Sequence, residues 1–212
     1  MKSNPRRQRH AFTLIEMIGV LAVISILASL LIPKIYEAIN NAHVSQTLVS
    51  CQTIKTSVAQ HYAKFLSLAS SNGDNLSISG GVFDHFDNVL LAEALIDKPF
   101  SVKIGTTANI RILDIASLVS GDQMNNPNIN KGAYVLDGDG KNDVVGQYVV
   151  EAVIYGLSQT DARDLNNRLD GSDPRFGETP NDQRDPGGQV TYANPTGPPS
   201  SPFDVHIYIT HH

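Results

Sequence analysis

Residues 11–33 read AFTLIEMIGVLAVISILASLLIP. The run is apolar throughout except for Thr13, Glu16, Ser25 and Ser29. Four basic residues precede it, Lys2, Arg6, Arg7 and Arg9, with no acid among them. A helix that crosses a bilayer needs about 20 mostly apolar residues, so this run is long enough. The flanking cations predict a cytoplasmic N-terminal side, with the body of the chain outside. Glu16 is the exception in the run. A carboxylate at bilayer depth costs on the order of 2.5–3.5 kcal/mol or more, which points to a partner for it.

The remainder of the 212 residues has the capacity for one ordinary domain. Apolar residues make up 41% of the chain but are concentrated in the N-terminal run, while the last third is rich in Pro, Gly, Asn and Asp. Formal net charge is −5, and removal of residues 1–11 with their four cations takes it to −9. An acidic body argues against nucleic acid as a partner, since phosphate binding depends on Lys and Arg. The single cysteine, Cys51, excludes an intrachain disulfide.

Three readings compete for residues 1–33. A secretory signal peptide would carry a small-residue cleavage site after the apolar run and no charge within it. No such site precedes Pro33, and Glu16 interrupts the run. A simple membrane anchor has no use for Glu16. The third reading places a cut before the run.

That third reading carries a resemblance. Ala11-Phe12-Thr13-Leu14-Ile15-Glu16 resembles the N-terminal signature of type IV pilins and of type II secretion pseudopilins. In that family a short basic leader is cut, the exposed Phe is N-methylated, and the fifth mature residue is Glu. The resemblance implies cleavage between Ala11 and Phe12, methylation of Phe12, and an assembly role for Glu16, the fifth residue counted from Phe12. Pro33, the twenty-second, stands where the family also tends to have proline; Ala11 stands where the family usually has Gly. The implied partners are a prepilin peptidase, other pilin or pseudopilin subunits and the inner membrane. A cation at Phe12 of one subunit is a fitting partner for Glu16 of a neighbour, because a buried charge needs one.

Beyond the run, Ile35, Ile39, Ala42, Leu48, Cys51, Ile54, Val58, Tyr62 and Phe65 fall mostly three or four apart. This spacing predicts an amphipathic continuation of the same helix to about Phe65, roughly 80 Å in all at 1.5 Å per residue. Pro33 removes one backbone donor and predicts a kink or local opening. Cys51 reads as a small core residue, and His43 and His61 as solvated.

In the body, residues 88–95 fit a short helix and 101–113 hold a strand, with 110–113 its strongest part. Residues 132–136 and 144–155 read as the arms of an antiparallel hairpin joined by 137–143. Ser158 and Asp161 predict a capped helix that ends before Gly171, and 171–188 reads as a surface loop. In 203–209 the alternation places Phe203, Val205, Ile207 and Ile209 inward, and Asp204, His206 and Tyr208 outward. The fold class is α+β: a long N-terminal helix, its first half apolar, packed against a C-terminal antiparallel sheet. The divisions are a leader over 1–11, a membrane or filament-core helix over 12–34, its amphipathic half over 35–68, a connecting region over 69–131 and a sheet region over 132–212. The last contains helix 159–169 and loop 171–188.

Two acidic groups suggest calcium, which takes six to eight oxygen ligands. In DGDGKND, residues 137–143, Asp137, Asp139 and Asp143 with the backbone carbonyl of Lys141 form the later part of a calcium-loop pattern. A plain hairpin turn favours the same residues. Asp170, Asp173, Asp182 and Asp185 form a looser second group. His206, His211 and His212 read as a solvated end rather than a transition-metal site. No Ser-His-Asp order, phosphate-cradling loop or catalytic carboxylate pair is legible, so the body reads as non-enzymatic, with no cofactor required. The expected function is a structural subunit of a type IV pilus or secretion pseudopilus. The alternative is a single-pass, membrane-anchored binding domain that does not polymerise.

Overall fold

The computed structural model describes residues 13–71, 74–78, 80–115, 134, 136, 143–144, 146–171, 188–192 and 202–212. Among the described residues, ten elements follow in chain order: α1 (Leu14–Phe65), β1 (Ser70–Ser71), β2 (Asp74–Asn75), β3 (Val82–Phe83), α2 (Phe86–Ala92), β4 (Thr107–Asp114), β5 (Tyr148–Leu157), α3 (Gln159–Leu169), β6 (Val190–Tyr192) and β7 (Phe203–His211). The chain divides into two compact units, residues 1–41 and 42–212.

The first unit is helical from Leu14 onward, and the helix runs through Pro33 without interruption. The local opening expected at Pro33 is therefore not seen. The large apolar side chains from Leu14 to Ile39 are all exposed, many by more than half. Ser25 and Ser29 turn inward on their own helix, donating to the carbonyls of Leu21 and Ile26 at 2.7 Å each. This removes their hydroxyl hydrogens from an otherwise apolar surface.

The second unit is built on a five-stranded antiparallel sheet of order β3-β4-β5-β7-β6. One face packs on α1. Val44, Thr47, Cys51, Ile54, Val58 and His61 form the buried stripe of the helix, at spacings of three and four. Of the expected stripe, Cys51, Ile54 and Val58 lie in it and Leu48 and Tyr62 pack against it partly buried; Ile35 and Ile39 are exposed, and Thr47 and His61 are buried with the stripe. Ile110 and Ile112 of β4, Val150, Ala152 and Ile154 of β5, and Val205, Ile207 and Ile209 of β7 meet this stripe. Burial pushes the Cys51 thiol up to about 12, which suits a core filler and not a nucleophile.

The sheet draws on more of the chain than 132–212, since β3 and β4 come from residues 69–131. Of the expected hairpin over 132–155, residues 132, 133, 135, 137–142 and 145 lie outside the described residues; the Asp143 N–H of its turn donates to the Tyr134 carbonyl at 2.8 Å. From Tyr148 to Leu157, β5 is hydrogen-bonded to β4 on one edge and to β7 on the other. Helix α3 is capped as the sequence predicts: Ser158 Oγ accepts from the Asp161 N–H at 3.2 Å and donates to its carboxylate at 2.8 Å.

Asp170, at the end of α3, holds the start of β6. Its two carboxylate oxygens accept from the N–H groups of Gln189 (2.7 Å) and Val190 (2.9 Å). Gly188 makes this approach possible: its φ is +84°, and a Cβ there would collide with the carboxylate. We expect Asp170→Ala to destabilise the body by about 2–3 kcal/mol, by loss of two charge-assisted bonds, and Gly188→Val to do at least as much. Urea melts of the two variants against the parent check this.

Candidate functional site

Among the described residues, three places gather polar groups in surroundings that demand an explanation. The first is the start of α1. The Thr13 N–H and the Thr13 hydroxyl both donate to Glu16 Oε2 at 2.8 Å, and the Glu16 N–H lies 3.3 Å from Thr13 Oγ1. This is a reciprocal capping box. Each side chain satisfies a backbone donor that the first turn of a helix leaves open. The carboxylate is also set at the helix N-terminus, where the macrodipole favours an anion. Its charge has no cationic partner among the described residues. Thr13-x-x-Glu16 is a capping signature that local sequence alone carries. Ala11 and Phe12, the expected cleavage and methylation residues, lie outside the described residues.

The second place is the sheet face opposite α1. There Leu113, Ile115, Tyr134, Val144 and Val149 form a smaller apolar core, with Val82 and Tyr208 beside it. Next to it, a charged cluster is buried across three adjacent strands. Glu151 on β5 is fully buried, with Arg111 of β4 on one side and His206 of β7 on the other. The Arg111 Nε–H donates to Glu151 Oε1, and His206 Nδ1 lies 3.0 Å from the same oxygen. Arg111 Nη2 is 3.1 Å from His206 Nδ1, and the Tyr134 hydroxyl donates to Glu151 Oε2 at 2.5 Å.

Burial by itself raises the Glu151 carboxyl, but His206, Arg111 and the Tyr134 hydroxyl outweigh it and hold the group at about 2. Burial and the Glu151 charge together push the Tyr134 phenol well above its ordinary range. His206, expected to face solvent, is buried, because the outer face of the sheet is itself covered. The signal that would have found the cluster is Glu151 itself, a lone acid in the apolar run 149–154.

The third place is on the α1 side, where His61, also expected to be solvated, is fully buried. Its Nδ1 lies 2.6 Å from Glu93 Oε2, and Ser71 Oγ donates to Glu93 Oε1 at 2.8 Å. The ring stands edge-on to Phe86 with centroids 5.1 Å apart. His206, His211 and His212 do not converge. His211 meets the Tyr208 hydroxyl at 2.6 Å, and His212 stacks on Tyr62 at 3.9 Å. Among the described residues, no group of three or more His, Cys, Asp or Glu is placed to hold a metal. Of the expected calcium residues, Asp137, Asp139 and Lys141 lie outside the described residues; the Asp143 carboxylate accepts from the Leu136 N–H at 2.5 Å.

Comparison with known proteins bears on the first place. Residues 6–32 match the model of the prokaryotic N-terminal methylation motif. No curated protein and no solved structure matches the chain.

The buried carboxylate has a measurable consequence. The folded Glu151 value lies below the ordinary 4.5. Its contribution to stability is therefore present above about pH 4.5 and is lost as the pH falls toward 2. We expect Glu151→Gln to cost about 3–5 kcal/mol at neutral pH, because it removes the buried counter-charge beside Arg111. It should also flatten the fall in stability between pH 4.5 and 2. Urea melts across that range check both effects.

Proposed function

We propose, from the prepilin signature that residues 6–32 carry, that the chain is a structural subunit of a type IV pilus or a secretion pseudopilus. The motif supports a type IV pilin-like or pseudopilin-like protein, and the polymerising role is our reading of it. The observation that carries this reading is the pairing of that motif with an apolar helix whose large side chains from Leu14 to Ile39 stand exposed. The helix is long and apolar enough to cross a membrane. An apolar surface of this kind stays out of water equally well in lipid or in a bundle of like helices.

On this reading a prepilin peptidase cuts between Ala11 and Phe12 and Phe12 is methylated. The subunit waits in the inner membrane with its body outside the cytoplasm, then leaves the bilayer as helices bundle. The cut turns Phe12 into a cationic terminus, and the capping box presents the Glu16 carboxylate at the same end of the helix. A cation from a neighbouring subunit is the partner that carboxylate lacks among the described residues.

Glu16 separates this from the membrane-anchored alternative, in which the carboxylate has no task. Glu16→Leu removes a charge from an apolar segment and leaves anchoring intact. We expect the variant to reach the membrane at parental level and to enter sheared filaments at a small fraction of it, read by immunoblot of the two fractions. A variant that assembles normally would contradict the assembly role of Glu16. We further propose calcium at Asp137, Asp139, Asp143 and the Lys141 carbonyl, supported by the alternation of acids with Gly138 and Gly140. Calcium should raise the melting temperature of the body, with chelator reversing the gain; no shift would remove the ion.

A further inference from the structure

A small cleft in the second unit opens between the middle of α1 and the turn over residues 95–101. Its volume is about 260 Å³. That is below the roughly 300–1,000 Å³ usual for small-molecule pockets and suits a single large side chain. Ile54 and Phe100, both buried, line it together with Leu95 and Pro99. The exposed pair Asp97 and Lys98 stands at the rim. The cleft is held open by the chain itself: Ser57 Oγ donates to the Leu95 carbonyl at 3.0 Å, and the Phe100 N–H donates to Asp87 Oδ2 at 3.0 Å.

The first unit carries a side chain of matching form. Tyr36 is 70% exposed, the only exposed aromatic among the described residues. Tyrosine combines a large apolar ring with a hydroxyl that tolerates a wet rim, which is why it recurs as an interface anchor. It is flanked by Lys34 and Glu37, which pair with each other at 3.0 Å and are both well exposed. The cleft thus offers an anion and a cation beside an apolar hole, and the helix offers a cation and an anion beside an apolar knob.

We propose that the cleft receives Tyr36 of a second copy of this chain, with Lys34 of that copy meeting Asp97 and Glu37 meeting Lys98. Knob and hole are different surfaces of one chain. Copies joined this way form a heterologous contact, the kind that extends into an open polymer when the rotation does not close. The contact rests on the filament reading above and specifies a register between subunits that the apolar helices alone leave loose. Electrostatic complementarity of the flanking charges selects that register.

The test uses the full chain in cells that assemble it. Glu37→Cys combined with Lys98→Cys, in a background with Cys51→Ala, keeps Tyr36 in place and should give a ladder of disulfide-linked multimers in sheared filaments. Tyr36→Ala should lower filament yield about tenfold, as expected for an anchor residue, while Tyr36→Phe keeps most of it. Membrane level and body melting temperature control for misfolding. Asp97→Lys should reduce yield, and adding Lys34→Glu should restore it. Filaments that form at parental yield with Tyr36→Ala, or that give no ladder, would overturn the contact while leaving the filament reading in place. A parent chain that forms no filament would overturn both.

Discussion

Residues 14–33 present a largely apolar surface that no other described residue of their unit covers. Water is a poor solvent for such a surface, and the chain answers by local means wherever it can. The backbone satisfies itself as a helix, which is the one solution open to a single segment in lipid. Ser25 and Ser29 fold their hydroxyls onto the same backbone. Glu16, the one charge between Leu14 and Pro33, is taken into the helix end by Thr13. Each device removes a polar liability from the surface and leaves the apolar area itself to be covered by lipid or by other helices.

The second unit meets the opposite requirement, since it has to close its own core. From Val44 onward α1 buries one stripe against the sheet, and Val44, Ile54 and Val58 are almost entirely withdrawn from solvent. The sheet is then covered on its outer face as well, so its polar residues there cannot reach water. Arg111, Glu151, His206 and Tyr134 satisfy one another instead. Buried ion clusters contribute little net stability compared with apolar packing, yet removal of one member is costly. The cluster therefore favours one strand register: sliding β4 or β7 by one residue past β5 would leave Glu151 without its partners.

Much of this was legible in the sequence where one physical signal acted alone. The long apolar run, the helix to Phe65, the capped helix at Gln159–Leu169 and the inward alternation of Val205, Ile207 and Ile209 each follow from periodicity or from capping chemistry. The motif at the start of α1 was legible because several residue types had to coincide. What could not be read depended on contacts distant in sequence. His61 and His206 look solvated in a pattern of alternating residues, and are buried because Glu93 and Glu151 reach them from 32 and 55 residues away. The strand at Tyr148–Leu157 was legible from its apolar run, but its partners, β4 and β7, lie far from it on either side of the chain. Local turn propensity says nothing about which edges a central strand will use.

The central claim is that the apolar helix is an assembly element exposed by a cut before Phe12, and not an anchor or a signal peptide. Mass spectrometry of the N-terminus of the membrane-bound or filament-bound protein tests it most directly. The account predicts a chain that starts at N-methylated Phe12. An N-terminus at an intact Met1, or a cut after Pro33, would contradict it.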